Sequence, residues 1–267
     1  DAVIIASPTA FHYDHILLAT QAGKHIFCEK PIDLSYEKVQ TVTANVASAG
    51  IHFMVGFNRR FDPHIQELKA AIDQGKAGSP RIVKITSRDP APPPLEFIKH
   101  SGGLFLDMAI HDFDMARYLL GDEVVQVSST GNIFGDLPLA QFDDIDTAVT
   151  TLIFKKGCMV QIDNSRYSSY GYDQRLEVFG QNGKVATQNI LENTVQTTDA
   201  LGHHTARSKL FFIDRYADSY RNILMDFVAT LKNKQAPSIS AEDGLAALVI
   251  AMAAKQSVKE NRPISLS

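Results

Sequence analysis

The sequence predicts an α/β chain in two parts. An incomplete doubly wound parallel sheet spans residues 1–57, and an α+β domain built on an open, mostly antiparallel sheet spans 58–267. Three observations predict this. Strand-like and helix-like segments alternate up to Gly56 with short, glycine-marked connections, as in βαβ units. From residue 124 strands follow one another, with hairpin signals at Lys155-Lys156-Gly157 and Gln181-Asn182-Gly183. The 267 residues, 45% apolar and 21% charged, suffice for a large core in one or two domains.

In the first part, residues 3–6 form a continuous apolar run, as expected of a parallel strand covered on both faces. Ser7-Pro8-Thr9 breaks it. Residues 10–22 carry helical spacing through Ile16, Leu17 and Ala19, and Gly23 stands where a left-handed cap ends a helix. A second strand over 24–28 leads into Glu29-Lys30-Pro31. Ser35 is the expected N-cap of a helix over 36–49, which Gly50 closes, and a third strand over 51–55 ends at Gly56. This is the C-terminal half of a Rossmann-type sheet, because the complete fold has further βα units before this point. The chain opens on a strand with no initiator methionine and reads as a piece of a longer protein, so a targeting signal lies outside what can be read.

In the second part, a helix is expected over 64–74, a half-exposed strand over 81–87, a proline-rich loop over 89–94 and a helix over 103–120. Strands follow over 124–131, 146–154, 157–165, 175–180 and 183–188, and helices over 216–232 and 241–261 close the chain. Val149, Thr151 and Ile153 alternate with Ala148, Thr150 and Leu152. A second copy of the chain covering one face of this sheet, hence a homo-oligomer, is expected.

Composition narrows the function. A formal charge of −4 without a basic run argues against nucleic acid as the main partner. The most apolar stretch, 245–254, is too short to span a membrane. Cys28 and Cys158 are isolated and lack metal-ligand spacing, which fits a reduced, cytoplasmic setting and no metal site.

Two clusters carry chemistry. Lys30 stands at the carboxyl end of a strand, where open α/β sheets bind ligands, and the proline behind it makes a cis peptide accessible. An isolated Glu-Lys-Pro is ordinarily a solvated loop. Asp107, His111 and Asp114 lie at i, i+4 and i+7, which puts all three on one face of the helix over 103–120. A solvated Asp–His pair is the plain alternative, and a metal site lacks a second histidine nearby. A proton-transfer site explains all the groups together. Histidine accepts a proton near neutrality, a carboxylate can orient it, and a desolvated lysine can donate alongside. Oxidation of an alcohol by hydride transfer needs such a base, while a cofactor takes the hydride.

Four segments carry a resemblance: Glu29-Lys30-Pro31; Gly56-Phe57-Asn58-Arg59-Arg60-Phe61-Asp62; residues 101–114; and Tyr170-Gly171-Tyr172-Asp173. On these the chain resembles, along essentially its whole length, the Gfo/Idh/MocA oxidoreductase family. The resemblance implies that Lys30, Asp107 and His111 are catalytic, with His111 as acid–base and Asp107 as its partner. It puts Arg60, Asp114 and Tyr172 at the substrate, with Tyr170 as the alternative alignment for Tyr172. Ser7, Pro8, Thr9, Glu29 and Lys30 would border the dinucleotide. The implied reaction is NAD(P)-dependent oxidation of a secondary hydroxyl of a cyclic polyol, nearest to members that convert myo-inositol to 2-keto-myo-inositol (scyllo-inosose). Other sugar or polyol dehydrogenases share the same lysine, aspartate and histidine. A non-catalytic sugar or dinucleotide sensor is an alternative of another class, but it has no need for those three together. A structural or interaction module is a third.

The family's Gly-rich phosphate turn, G-x-G-x-x-G, and the acidic residue that meets the adenosine ribose do not occur in these 267 residues. Gly102-Gly103 lacks the preceding strand that the motif demands. NAD is the expected cofactor, NADP is left open, and so is the activity of this stretch by itself.

Overall fold

Three parallel strands form the first sheet in the computed structural model, which describes residues 1–266. They are β1 (Ala2–Ile5), β2 (His25–Cys28) and β3 (Phe53–Val55), in that spatial order. Helices α1 (His12–Gln21) and α2 (Tyr36–Ala49) connect them. The expected punctuation is present: Ser35 Oγ accepts from the Lys38 backbone N–H, and Gly23 and Gly50 take left-handed conformations. A 3₁₀ turn over Thr9–Phe11 delays the first helix to His12. Every residue of β3, and Ile26, Phe27 and Cys28 of β2, is buried. Strand β1 departs from expectation. Like β3 it is an edge strand of the described sheet, and Ile4 is 61% exposed rather than covered on both faces.

The second part begins with α3 (Pro63–Asp73), which is capped by Asp62 accepting from the His64 and Ile65 N–H groups. Pro63 at its first position gives up no hydrogen bond there. Strand β4 (Pro80–Arg88) follows, and then the proline-rich loop runs straight into a helix that was not foreseen, α4 (Leu95–Ser101). Pro94 stands at the N-cap of α4, so the prolines that read as loop in fact lead into a helix. The single helix expected over 103–120 is two structures: a π-helical turn over Leu104–Ala109 and α5 (Ile110–Leu120).

The large sheet contains β5 (Val124–Asn132), β6 (Thr147–Phe154), β7 (Met159–Ser165), β8 (Asp173–Gly180) and β9 (Gly183–Ala186), together with β4 and β12 (Ile264–Ser265). Its order is β12-β5-β6-β7-β4-β8-β9, antiparallel at every step except β7–β4. Both expected hairpins join neighbouring antiparallel strands. A separate exposed hairpin, β10 (Gln196–Asp199) with β11 (Gly202–Thr205), was not foreseen, because its polar residues give no strand pattern. Then come α6 (Phe212–Arg215), α7 (Ala217–Asn233) and α8 (Ala241–Glu260).

One face of the large sheet packs on α5 and α8 through Val83, Ile85, Leu152, Val160, Ile162 and Val178. The other face leaves Val149, Met159 and Phe179 exposed. Helix α8 also joins the two sheets, since it packs on β5, β3 and α2. Its small residues allow this. A Cβ on Gly244 would lie 2.6 Å from Ile32 Cδ1 and 3.3 Å from Val55 Cγ2, so the helix could not approach β3 with a larger residue there. No helix among the described residues is long and apolar enough to cross a membrane.

Candidate active site

Hydrogen bonds tie the ends of the three parallel strands together. Glu29 N–H donates to the Ile5 carbonyl (2.9 Å) and Gly56 N–H to the Cys28 carbonyl (2.8 Å). Lys30 is thereby presented at the carboxyl edge of the sheet, where such sheets bind ligands. The Lys30–Pro31 peptide is cis. Burial pushes the Glu29 carboxyl up, and the neighbouring Lys30 charge opposes it.

Lys30 crosses to the second part. Its Nζ donates to the Asp107 carbonyl oxygen (2.7 Å) and to Asp107 Oδ1 (3.1 Å). Asp107 belongs to the π-helical turn, a wider coil that often marks functional sites. His111 lies in the first turn of α5. Its Nδ1 is buried with no hydrogen-bond partner, and Phe57 meets the ring edge-on with centroids 6.0 Å apart. Burial, then the Lys30 and Arg59 charges, holds the imidazole well below its usual range. It is therefore neutral at neutral pH, the form that can accept a proton. No hydrogen bond joins Asp107 to His111, so in this state Asp107 serves Lys30 and not the imidazole.

A cleft of about 890 Å³ opens between the two parts, and Lys30, Asp107, His111 and Tyr172 line it. The sequence reading missed Arg59, Asp89 and Arg166, which line it too. Arg59 Nη1 donates to Asp112 Oδ1 (2.7 Å) and Nη2 to the Tyr172 hydroxyl (3.3 Å). Asp112 is completed by Asn164 Nδ2 (2.8 Å). Asp89 closes β4, and burial pushes its carboxyl up to about 6 against the Arg59 and Arg166 charges. Arg166 is 1% exposed, and its Nε and Nη2 lack hydrogen-bond partners. Its Nη2 lies 3.9 Å from both Asp107 Oδ2 and Asp144 Oδ2. The available signal for Asp89 and Arg166 was a charged residue at the end of a strand, the signal that singled out Lys30.

Arg60 and Asp114 do not line the cleft. They form a buried pair, Nη2 to Oδ1 at 2.6 Å and Nε to Oδ2 at 2.9 Å. Two structural facts separate them from the groups with which they were expected to act. Arg59 and Arg60 share one 3₁₀ turn, Asn58–Phe61, where consecutive side chains point about 120° apart. The π turn upstream also breaks the i, i+7 register that linked Asp107 to Asp114. Tyr170, the alternative to Tyr172, lies outside the cleft lining, and its hydroxyl engages Arg88 and Asp173. Ser7, Pro8 and Thr9 follow β1 beside the Glu29–Lys30 loop but not in the cleft wall.

The residues present suit the nicotinamide end of a dinucleotide. The three strand ends are fastened together, Lys30 faces the cleft, and His111 offers a buried unpartnered nitrogen. No group of three or more His, Cys, Asp or Glu among the described residues could hold a metal ion.

An open parallel sheet that carries a lysine at a strand end to a cleft shared with an α+β domain is the architecture of a class, the dinucleotide-binding oxidoreductases. The family is then specific. The oxidoreductase-family NAD-binding Rossmann fold matches residues 1–57 and the family's C-terminal alpha/beta domain matches residues 69–266, so the chain belongs to the Gfo/Idh/MocA oxidoreductase family. It is 46% identical over 266 residues to myo-inositol 2-dehydrogenase of Thermotoga maritima, covering 100% of this chain and 80% of that one. The crystal structure of a myo-inositol dehydrogenase from Corynebacterium glutamicum superposes with a TM-score of 0.95 at 39% identity, covering 100% and 80% of the two chains. The scyllo-inositol dehydrogenase of Lactobacillus casei, solved with NAD(H) and scyllo-inositol, gives 0.91 at 32% identity over 99% and 80%.

Proposed function

We propose that this oxidoreductase removes a hydride from a secondary hydroxyl-bearing carbon of a cyclic polyol, with myo-inositol as the foremost substrate and 2-keto-myo-inositol as product. One observation carries the proposal: a neutral, buried His111 faces a cleft beside the Lys30–Asp107 pair. His111 takes the hydroxyl proton. Lys30, held by Asp107, donates a hydrogen bond to the same oxygen and opposes charge growth on it. When bound, NAD would supply the hydride acceptor. Ser7, Pro8, Thr9 and Glu29 would border that cofactor.

Tyr172, Arg59 and Asp89 contact the other ring hydroxyls. A cation, a carboxylate and a hydroxyl around one cavity suit a polyol, each of whose hydroxyls both donates and accepts. Arg60 and Asp114 support this wall from behind. The division of the chain between residues 57 and 58 is part of the proposal, and the end of β3 at Val55 supports it. A homo-oligomer through the exposed sheet face and a cytoplasmic setting complete it, supported by the apolar Val149, Met159 and Phe179 and by two free, buried cysteines. A monomeric mass by light scattering at micromolar concentration would count against the oligomer.

The relatives named for scyllo-inositol and for myo-inositol support closely related readings. The deciding experiment measures NAD and NADP reduction by the full-length protein with a panel of inositols and hexoses. Turnover fastest with myo-inositol and NAD is expected. Faster turnover of a hexose, or activity that survives His111→Ala, would sink the substrate or the base assignment respectively.

A further inference from the structure

His12 has no part in the chemistry above, yet it is 1% exposed and both its ring nitrogens are engaged. Nδ1 lies 2.8 Å from the Pro31 carbonyl oxygen and Nε2 lies 2.7 Å from the Ser7 carbonyl oxygen. Carbonyl oxygens only accept, and a neutral imidazole carries a single N–H. A neutral His12 would therefore aim one bare nitrogen lone pair at a carbonyl lone pair while the ring is buried, an unfavourable contact. We infer that His12 is a doubly protonated imidazolium, and that it acts as a positioning residue clamping the two loops flanking the cofactor side of the cleft.

The connectivity gives the clamp its use. Ser7 lies two residues beyond the end of β1, and Pro31 directly follows Lys30. One ring thus fixes both strand-end loops from beneath, and with them the backbone that carries Lys30. Charge-assisted hydrogen bonds are the stronger kind, and two of them offset part of the cost of burying a cation. The ionisable groups on the elements around His12 are Glu29, Lys30 and Asp33 in the held loop, His25 on β2, Tyr36, Glu37 and Lys38 on α2, Glu96, Lys99 and His100 on α4, and Tyr13, Asp14 and His15 on its own helix. None of them hydrogen-bonds to the ring, whose two hydrogen-bond partners are both carbonyl oxygens.

The inference rests on the proposed function only for what the clamped loops hold. The test is nitrogen–proton correlation NMR of the histidine side chains in the wild-type, full-length protein at neutral pH. His12 is assigned through contacts of its ring protons with Pro31, and independently by its loss in His12→Gln. Two slowly exchanging N–H protons on one ring are expected. One N–H and one bare nitrogen would overturn the inference without any variant having to fold. His12→Gln should weaken NAD(H) binding, followed by fluorescence, by about tenfold through loss of one charge-assisted bond. Wild-type affinity in that variant overturns the positioning role. A wild-type ring with both protons in a protein that binds neither NAD(H) nor NADP(H) supports the clamp and strikes the cofactor reading alone.

Discussion

Arg59 and Arg60 are neighbours in one turn and enter two opposite kinds of charge network. Arg60 meets Asp114 through two bonds, and Asp243 lies within 3.1 Å of it. Asp243 also accepts from Arg117, whose other donors hold Glu123. Every charge in that cluster has a partner. Arg59 instead opens on the cleft, where Asp89 is pushed up, His111 is pushed down, and nitrogens of His111 and Arg166 find no partner. Complete pairing marks a cluster that holds the second part together from within. Incomplete pairing in the same dry interior is costly and marks groups held ready for something else.

Removing a group from the open network should damage chemistry and spare folding. His111→Gln is expected to lower kcat/KM by about 10²–10⁴ through loss of general-base catalysis, with an unchanged unfolding curve. Lys30→Ala should lose rate more than cofactor affinity. If NAD(H) binding collapses instead, Lys30 is a positioning group for the cofactor.

The closed network should respond the other way. Asp114→Ala removes both bonds that Asp114 makes to the buried Arg60 guanidinium and leaves it only Asp243, which should destabilise the fold by about 3 kcal/mol in a denaturant titration. Turnover per folded molecule should stay near wild type. A large loss of kcat in folded Asp114→Ala would return Asp114 to the substrate and erase the contrast.

Asp89 gives a smaller effect with a definite sign. Its folded value of about 6 lies above the ordinary carboxyl range, so ionisation costs stability as pH rises towards neutrality. Asp89→Asn should therefore raise Tm at neutral pH by about 2–4 °C, while lowering kcat/KM. The acid limb of kcat/KM should contain an inflection near 6 that disappears in Asp89→Asn. The remaining loss comes from His111. Its value is depressed, so the neutral base persists above that value, and activity should fall only below the ordinary histidine range. A single inflection at the ordinary histidine value, unmoved by Asp89→Asn, would contradict both assignments.

The parallel sheet and its caps were readable because they depend on local chemistry. Ser35, Gly23 and Gly50 each do what their side chains and φ preferences dictate. Lys30, Asp107, His111 and Tyr172 were legible as residues worth watching, and the fold brings them to one cleft. What could not be read was rotation about helix axes. Nothing in residues 104–109 announces a π turn, and that turn carries Asp114 away from Asp107. The choice between Arg59 and Arg60 depends likewise on which carboxylate, fifty residues on, each side chain meets.

The smallest expected effect separates two tyrosines that a short motif cannot. Tyr172 receives a hydrogen bond from Arg59 inside the cleft, whereas Tyr170 is 51% exposed and tied to Arg88 and Asp173 outside it. Tyr172→Phe removes an acceptor for Arg59 and a contact for a substrate hydroxyl. KM for the polyol should rise by about tenfold, the worth of one hydrogen bond, with kcat less affected. Tyr170→Phe should leave both constants within about twofold, because exposed bonds on the surface contribute little. If the two substitutions exchange effects, the loop around Gly171 turns over when substrate binds, and the boundary drawn here between open and closed networks must move with it.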